Sequence, residues 1–152
     1  GLGDVYKRQT DANNMGAAMA PAAYDTLRAH FTATATGPED YDLIVTGDLG
    51  QVGRDLLLQL MREQRMPLDE RIHRDCGLMI YDRERQDAHA GGSGCGCSAS
   101  VLCASLLPAL QQGDLKRIIF MATGALMSVT SSQQGETIPG IAHAVVLESP
   151  KL

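Results

Sequence analysis

Tryptophan is absent from this 152-residue chain, and two phenylalanines and four tyrosines are all the aromatic rings it has. The core must therefore be built from Leu, Ile, Val, Met and Ala. Positive charge is also in short supply: 13 Lys and Arg face 18 Asp and Glu, for a formal net charge of -5. That balance argues against a general nucleic-acid or anionic-membrane surface, since both need basic patches. No apolar run reaches the roughly 18 residues that a bilayer-spanning helix requires. Cysteines number four, Cys76, Cys95, Cys97 and Cys103. Structural zinc sites pair cysteines in two separate knuckles, whereas here a single Cys-x-Cys is followed by one cysteine on the next helix and preceded by one far upstream. No metal or other cofactor is expected from that spacing, and reduced, mostly buried thiols are.

What the chain does have is glycine, concentrated in HAGGSGCGCSAS, His89 to Ser100. Gly91, Gly92, Gly94 and Gly96 alternate there with Ser93, Cys95 and Cys97, and an apolar-periodic segment follows directly. Such a density marks backbone that takes positive φ or passes close to something else. Ser98 or Cys97 is placed to cap the helix that begins there. Its first turn offers unpaired N–H groups and the positive end of a dipole, on which a small anion can sit. The alternative is a tight turn that serves only to pack helix on strand.

Along the chain, residues 1–9 (GLGDVYKRQ) stand apart. Asp4 to Gln9 resembles the translated mosaic-end adapter of a sequencing library. The native sequence is accordingly expected to start near Thr10, with residues 10–152 the C-terminal portion of a longer domain; a genuine polar tail is the alternative. Apolar spacing predicts a helix from Asn13 to about His30, kinked or delayed by Pro21, with Asp11 or Asn13 as its cap. Tyr41 to Thr46 reads as a buried strand, Gly47 to Gly53 as a turn, and the segment from Val52 to before Pro67 as a helix. Leu78 to Ile80 reads as a short strand and Asp82 to Asp87 as a solvated loop. Val101 to Leu110 predicts a helix ending at Gly113, bent or shortened by Pro108. Arg117 to Ala122 is the clearest strand. Ser128 to Gly140 reads as a long polar loop, its Thr130–Glu136 portion folded over a cleft, toward a partner, or merely solvated. Ala142 to Glu148 closes with a strand. Strands alternating with helices imply an α/β layered fold, with ligands gathering at strand C-terminal ends near Gly47, Asp48 and Gly124.

Four segments carry a family resemblance: Asp11–Ala23, Thr46–Gly53, Asp75–Ala99 and Phe120–Ser149. Together they closely resemble the SpoVAD family of stage V sporulation proteins, over essentially everything from Thr10 onward. The resemblance implies a thiolase-like layered fold, a mixed sheet with packed helices, of which this chain is an incomplete C-terminal repeat. It also implies a role in binding dipicolinic acid (pyridine-2,6-dicarboxylate), or its calcium chelate, for uptake into the developing spore. Membrane proteins of the SpoVA group would be the partners, with a peripheral location at the forespore or spore inner membrane, no nucleic acid, and a homodimer left open.

The wider superfamily includes thiolases and β-ketoacyl synthases, which take their nucleophile from the N-terminal repeat. Where a condensing enzyme has its catalytic His, this chain has Gly47; Cys95 stands at the position of the catalytic Asn or His, and Ala122 at that of the thiolase acid cysteine. Acyl transfer needs a base and an oxyanion donor, so the resemblance implies no catalysis, with an acyltransferase or condensing enzyme as the competing reading and a ligand-free scaffold as a third.

For binding, the candidate residues are His89, Ser93, Gly94, Cys95, Gly96, Cys97, Ser98 and Asp48. Amides from Gly94 to Ser98 would hold one carboxylate, with Ser93 nearby and a protonated His89 adding a charge-assisted bond. Asp48 would repel a dianion, so its role requires a protonated carboxyl, a bridging Ca²⁺ or the orienting of another side chain; otherwise it bonds its own turn. His30 and His143 are expected to be packed or on the surface.

Overall fold

The computed structural model describes residues 15–126 and 139–151. The tail at 1–9, the candidate caps Asp11 and Asn13, and the Thr130–Glu136 loop lie outside the described residues.

Four strands form one sheet in the order β2-β1-β3-β4. Strands β1 (Leu43–Thr46), β2 (His73–Asp75) and β3 (Arg117–Ala125) are parallel, and β4 (Gly140–Glu148) runs antiparallel to β3. Two-residue alternation sends Ile44, Ile119 and Met121 to one face, where they join Leu27, Leu57 and Met61 in the larger core cluster. Those core residues lie on helices α1 (Met15–Thr34) and α2 (Gly50–Glu63). Val45, Ile118 and Phe120 face the other way, against Cys97, Val101, Leu106 and Leu110. The covering element there is continuous: α4 (Cys97–Val101), a π-helical segment (Leu102–Leu106) and α5 (Leu107–Gln112). The result is the expected mixed α/β sheet between helices.

Several local expectations need correction. Pro21 does not delay α1, which is continuous from Met15 to Thr34 with Ala17, Ala18, Ala20 and Ala23 buried around the proline. Pro108 does not shorten its helix, which continues to Gln112. The π-helical turn just before it widens the spiral where the proline ring would meet the carbonyl of Ala104. Leu78–Ile80 is not a strand: residues Cys76–Met79 form a single helical turn, α3, and the strand is the polar triplet just before it. The two inward residues of that triplet, His73 and Asp75, are buried and ionisable, so hydrophobic alternation gives no sign of it.

Tyr41 precedes β1 and still packs in the core, its hydroxyl 2.7 Å from His30 Nε2 and its ring under the Arg117 guanidinium at 4.9 Å. His30 is thus packed and His143 exposed, as the spacing suggested. Gly113, with φ 84°, ends α5 where the sequence placed the stop.

Candidate functional site

The site grows from the end of β1. Its last residue, Thr46, donates its hydroxyl to Asp75 Oδ2 at 2.6 Å, and the same carboxylate accepts the amides of Leu49 (2.9 Å) and Gly50 (3.0 Å). A buried carboxylate therefore closes the turn that opens α2, sitting on the positive end of that helix. Burial raises the Asp75 pKa, opposed by its hydrogen bonds with Thr46, Gly50 and Leu49. His73 lies 3.4 Å from the Thr46 hydroxyl, whose proton is committed to Asp75, so the imidazole is the neutral Nε2–H tautomer. Burial, with Arg54 and Arg74 adding, pushes its pKa down to about 3.

Next to this buried turn sits Asp48. Its Oδ1 accepts the Thr123 hydroxyl at 3.0 Å, its Oδ2 accepts the Gly94 amide at 3.2 Å, and its own amide donates to Thr123 Oγ1 at 3.1 Å. One side chain thus ties the end of β1 to the end of β3 and to the glycine loop. The loop is stitched down elsewhere as well: the Gln51 amide donates to Ala90 O (2.8 Å), the Gly92 amide to Gly77 O (2.7 Å), and the Cys97 amide to Gly94 O (3.0 Å). Gly94 holds φ 111°, a conformation that L side chains rarely adopt, and the space where its side chain would project is open.

Two depressions meet at Asp48, Ser93, Met15 and Met19. The larger, about 430 Å³, is also lined by Gly94, Cys95, Ser98, Ala122 and Thr123. The smaller, about 260 Å³, runs between Leu49–Gly50 and Ala90–Gly92. Among the described residues lining the two, Asp48 is the one charged side chain.

The sequence candidates divide accordingly. Asp48, Ser93, Gly94, Cys95 and Ser98 come together around the larger depression, along with Ala122. Gly96 is the residue before α4, and no side chain caps that helix: Ser98 lies within its first turn and Cys97 starts it. Cys97 is buried beneath the loop with its pKa raised by burial and by Asp48, while burial pushes the Cys76 thiol up to about 12. Cys95 and Cys103 are exposed, so only half of the thiols are buried as expected. His89 does not join the cleft. At φ 40° its side chain, 86% exposed, points to solvent with Nε2 3.3 Å from Asp87, because the bond from Gln51 to Ala90 turns the preceding residue outward.

Sequence reasoning missed Thr46, Asp75 and Thr123. Thr46 and Thr123 are single polar residues in apolar strands and Asp75 ends a polar one, and only the folded sheet reveals what each holds.

A family model described as stage V sporulation protein AD (SpoVAD) matches residues 3–148. Stage V sporulation protein AD of Bacillus subtilis (strain 168) is 49% identical over 139 residues, which is 91% of this chain and 40% of that protein. The chain therefore spans about two-fifths of the length of the curated relative it matches. With a cleft at the strand ends, a glycine loop across it and a match of this extent, the chain belongs to the SpoVAD family of sporulation proteins.

Proposed function

We propose that this chain forms part of a non-catalytic binding site for dipicolinic acid, used in loading the developing spore together with membrane proteins of the SpoVA group. The observation that carries the reading is the composition of the larger depression. Ser93, Ser98, Thr123, Cys95 and two glycines line it beside Asp48, Met15, Met19 and two alanines, and among these described residues there is no imidazole. None of these residues is an imidazole that could take the Cys95 proton to make it a nucleophile for acyl transfer. Hydrogen-bond donors in a recess of about 430 Å³ suit a single planar ring carrying two carboxylates.

Charge sets the remaining requirement. The described lining carries Asp48 and no cation, so the dianion needs compensation. Calcium carried with it as a chelate, or basic groups from the rest of the full-length protein, would supply it. Among the described residues no helix is long and apolar enough to cross a membrane, which accords with a peripheral place at the forespore or spore inner membrane.

Titration calorimetry on the full-length protein tests the reading. Pyridine-2,6-dicarboxylate, alone or with calcium, should bind with measurable heat, and incubation with acyl-CoA should add no acyl mass to the protein. Sustained thioester turnover would replace the binding reading with a condensing or acyl-transfer enzyme.

A further inference from the structure

We propose that Asp48 is a specificity-determining residue whose carboxylate competes with a ligand carboxylate for the Gly94 amide. The inference rests on the dicarboxylate reading above and deepens it. The Gly94 N–H is the one amide of the loop between Ser93 and Ser98 that donates to a side-chain carboxylate, at 3.2 Å to Asp48 Oδ2. A carboxylate from outside that takes this amide must take the place of Oδ2. The geometry makes the exchange inexpensive. Oδ1 stays with the Thr123 hydroxyl at 3.0 Å, so release costs a single hydrogen bond and the side chain keeps its anchor on β3. Gly94 itself lines the larger depression, and Asp48 borders both depressions, so an anion in either one meets it.

Two consequences follow for selection. A lone carboxylate gains little by exchanging one carboxylate–amide bond for another. A ligand that brings further contacts, or a bound cation that turns the Asp48 charge from repulsion to attraction, profits from the same arrangement. Asp48 thus sets a threshold against small monocarboxylates, which differ from the proposed ligand by lacking the second acidic group.

The test uses the full-length protein and two variants. Asp48→Asn keeps an acceptor for Gly94 and a partner for Thr123 while removing the charge. It should bind calcium-free pyridine-2,6-dicarboxylate about tenfold more tightly than wild type, the gain expected when a charged competitor for one hydrogen bond is removed. Unchanged or weaker binding by Asp48→Asn, with wild type still binding, overturns the competition and leaves the dicarboxylate reading standing. Binding by neither overturns both. Hydrogen exchange at the Gly94 amide gives a readout that needs no affinity. Without dicarboxylate the amide should exchange faster in Asp48→Ala than in wild type, and adding dicarboxylate to that variant should slow it again. Equal exchange in wild type and Asp48→Ala overturns the proposal.

Discussion

His73 and Asp75 show how much of the site depends on side chains that never reach its surface. They flank Arg74 on β2, both point inward, and they meet the same Thr46 hydroxyl from two sides. Their pH dependences have opposite signs. The folded-state pKa of His73 is pushed down to about 3 by burial, so its contribution to stability is complete above its ordinary value of 6.5 and is lost as the pH falls below it. The pKa of Asp75 is raised by burial, so its contribution is complete at low pH and is lost as the pH rises through its folded value. Substituting His73→Gln keeps an N–H for Thr46 and removes only the first term. Between pH 7 and pH 5 the wild-type full-length protein should lose about 2 kcal/mol more stability than this variant, the cost of holding an imidazole neutral about 1.5 pH units below its ordinary value. Urea midpoints at the two pH values measure it; parallel acid losses would show that His73 does not stay neutral.

Among the elements, α1 deserves the most weight because it walls both depressions through Met15 and Met19. Its position is set by backbone contact with α2. A Cβ on Gly53 would come 2.6 Å from the Gly16 carbonyl oxygen and 2.8 Å from its carbon, with no flexible side chain there to give way. Gly53→Ala should therefore push the helices apart, destabilising the full-length protein by about 2 kcal/mol, within the usual range for overpacking. Dicarboxylate binding should weaken with it, because the cleft wall moves. Thermal melts and calorimetry on the same sample check both; a variant with wild-type stability would mean that the helices cross more loosely. The spacing of apolar residues announces α1, α2 and β3, but nothing in it announces this crossing. Gly16 and Gly53 are two glycines among sixteen until the helices are folded together.

For the molecule as a whole, the two faces of the sheet are unequally covered. α1 and α2 close one face, whereas on the other the π-containing helix covers Ile118 and Phe120, with Leu147 of β4 packed against the same cluster. Ile141 and Val145 on β4 remain 54% and 53% exposed, and Leu126 at the end of β3 is 70% exposed. β4 is also a nine-residue strand at the edge of the sheet, a form that invites pairing with another chain. Expressed by itself, the 152-residue chain should self-associate. Sedimentation that shows a single, cooperatively melting monomer would contradict this.

What residue order determined alone was the alternation of helices and strands, the glycine loop before α4, the helix stop at Gly113 and the likeness to the SpoVAD family, because periodicity, turn chemistry and extended identity are all read along one dimension. Asp48, Ser93, Gly94, Cys95 and Ser98 were legible as a group for the same reason: most lie in one short loop. Only the tertiary structure decided that β2 is a polar triplet, that His89 faces away from the cleft, and that Asp48 is bound to Gly94 and Thr123. Each of these depends on groups 26 to 75 residues apart meeting across the sheet. A buried hydrogen bond between distant polar atoms leaves no periodic trace in the chain that makes it.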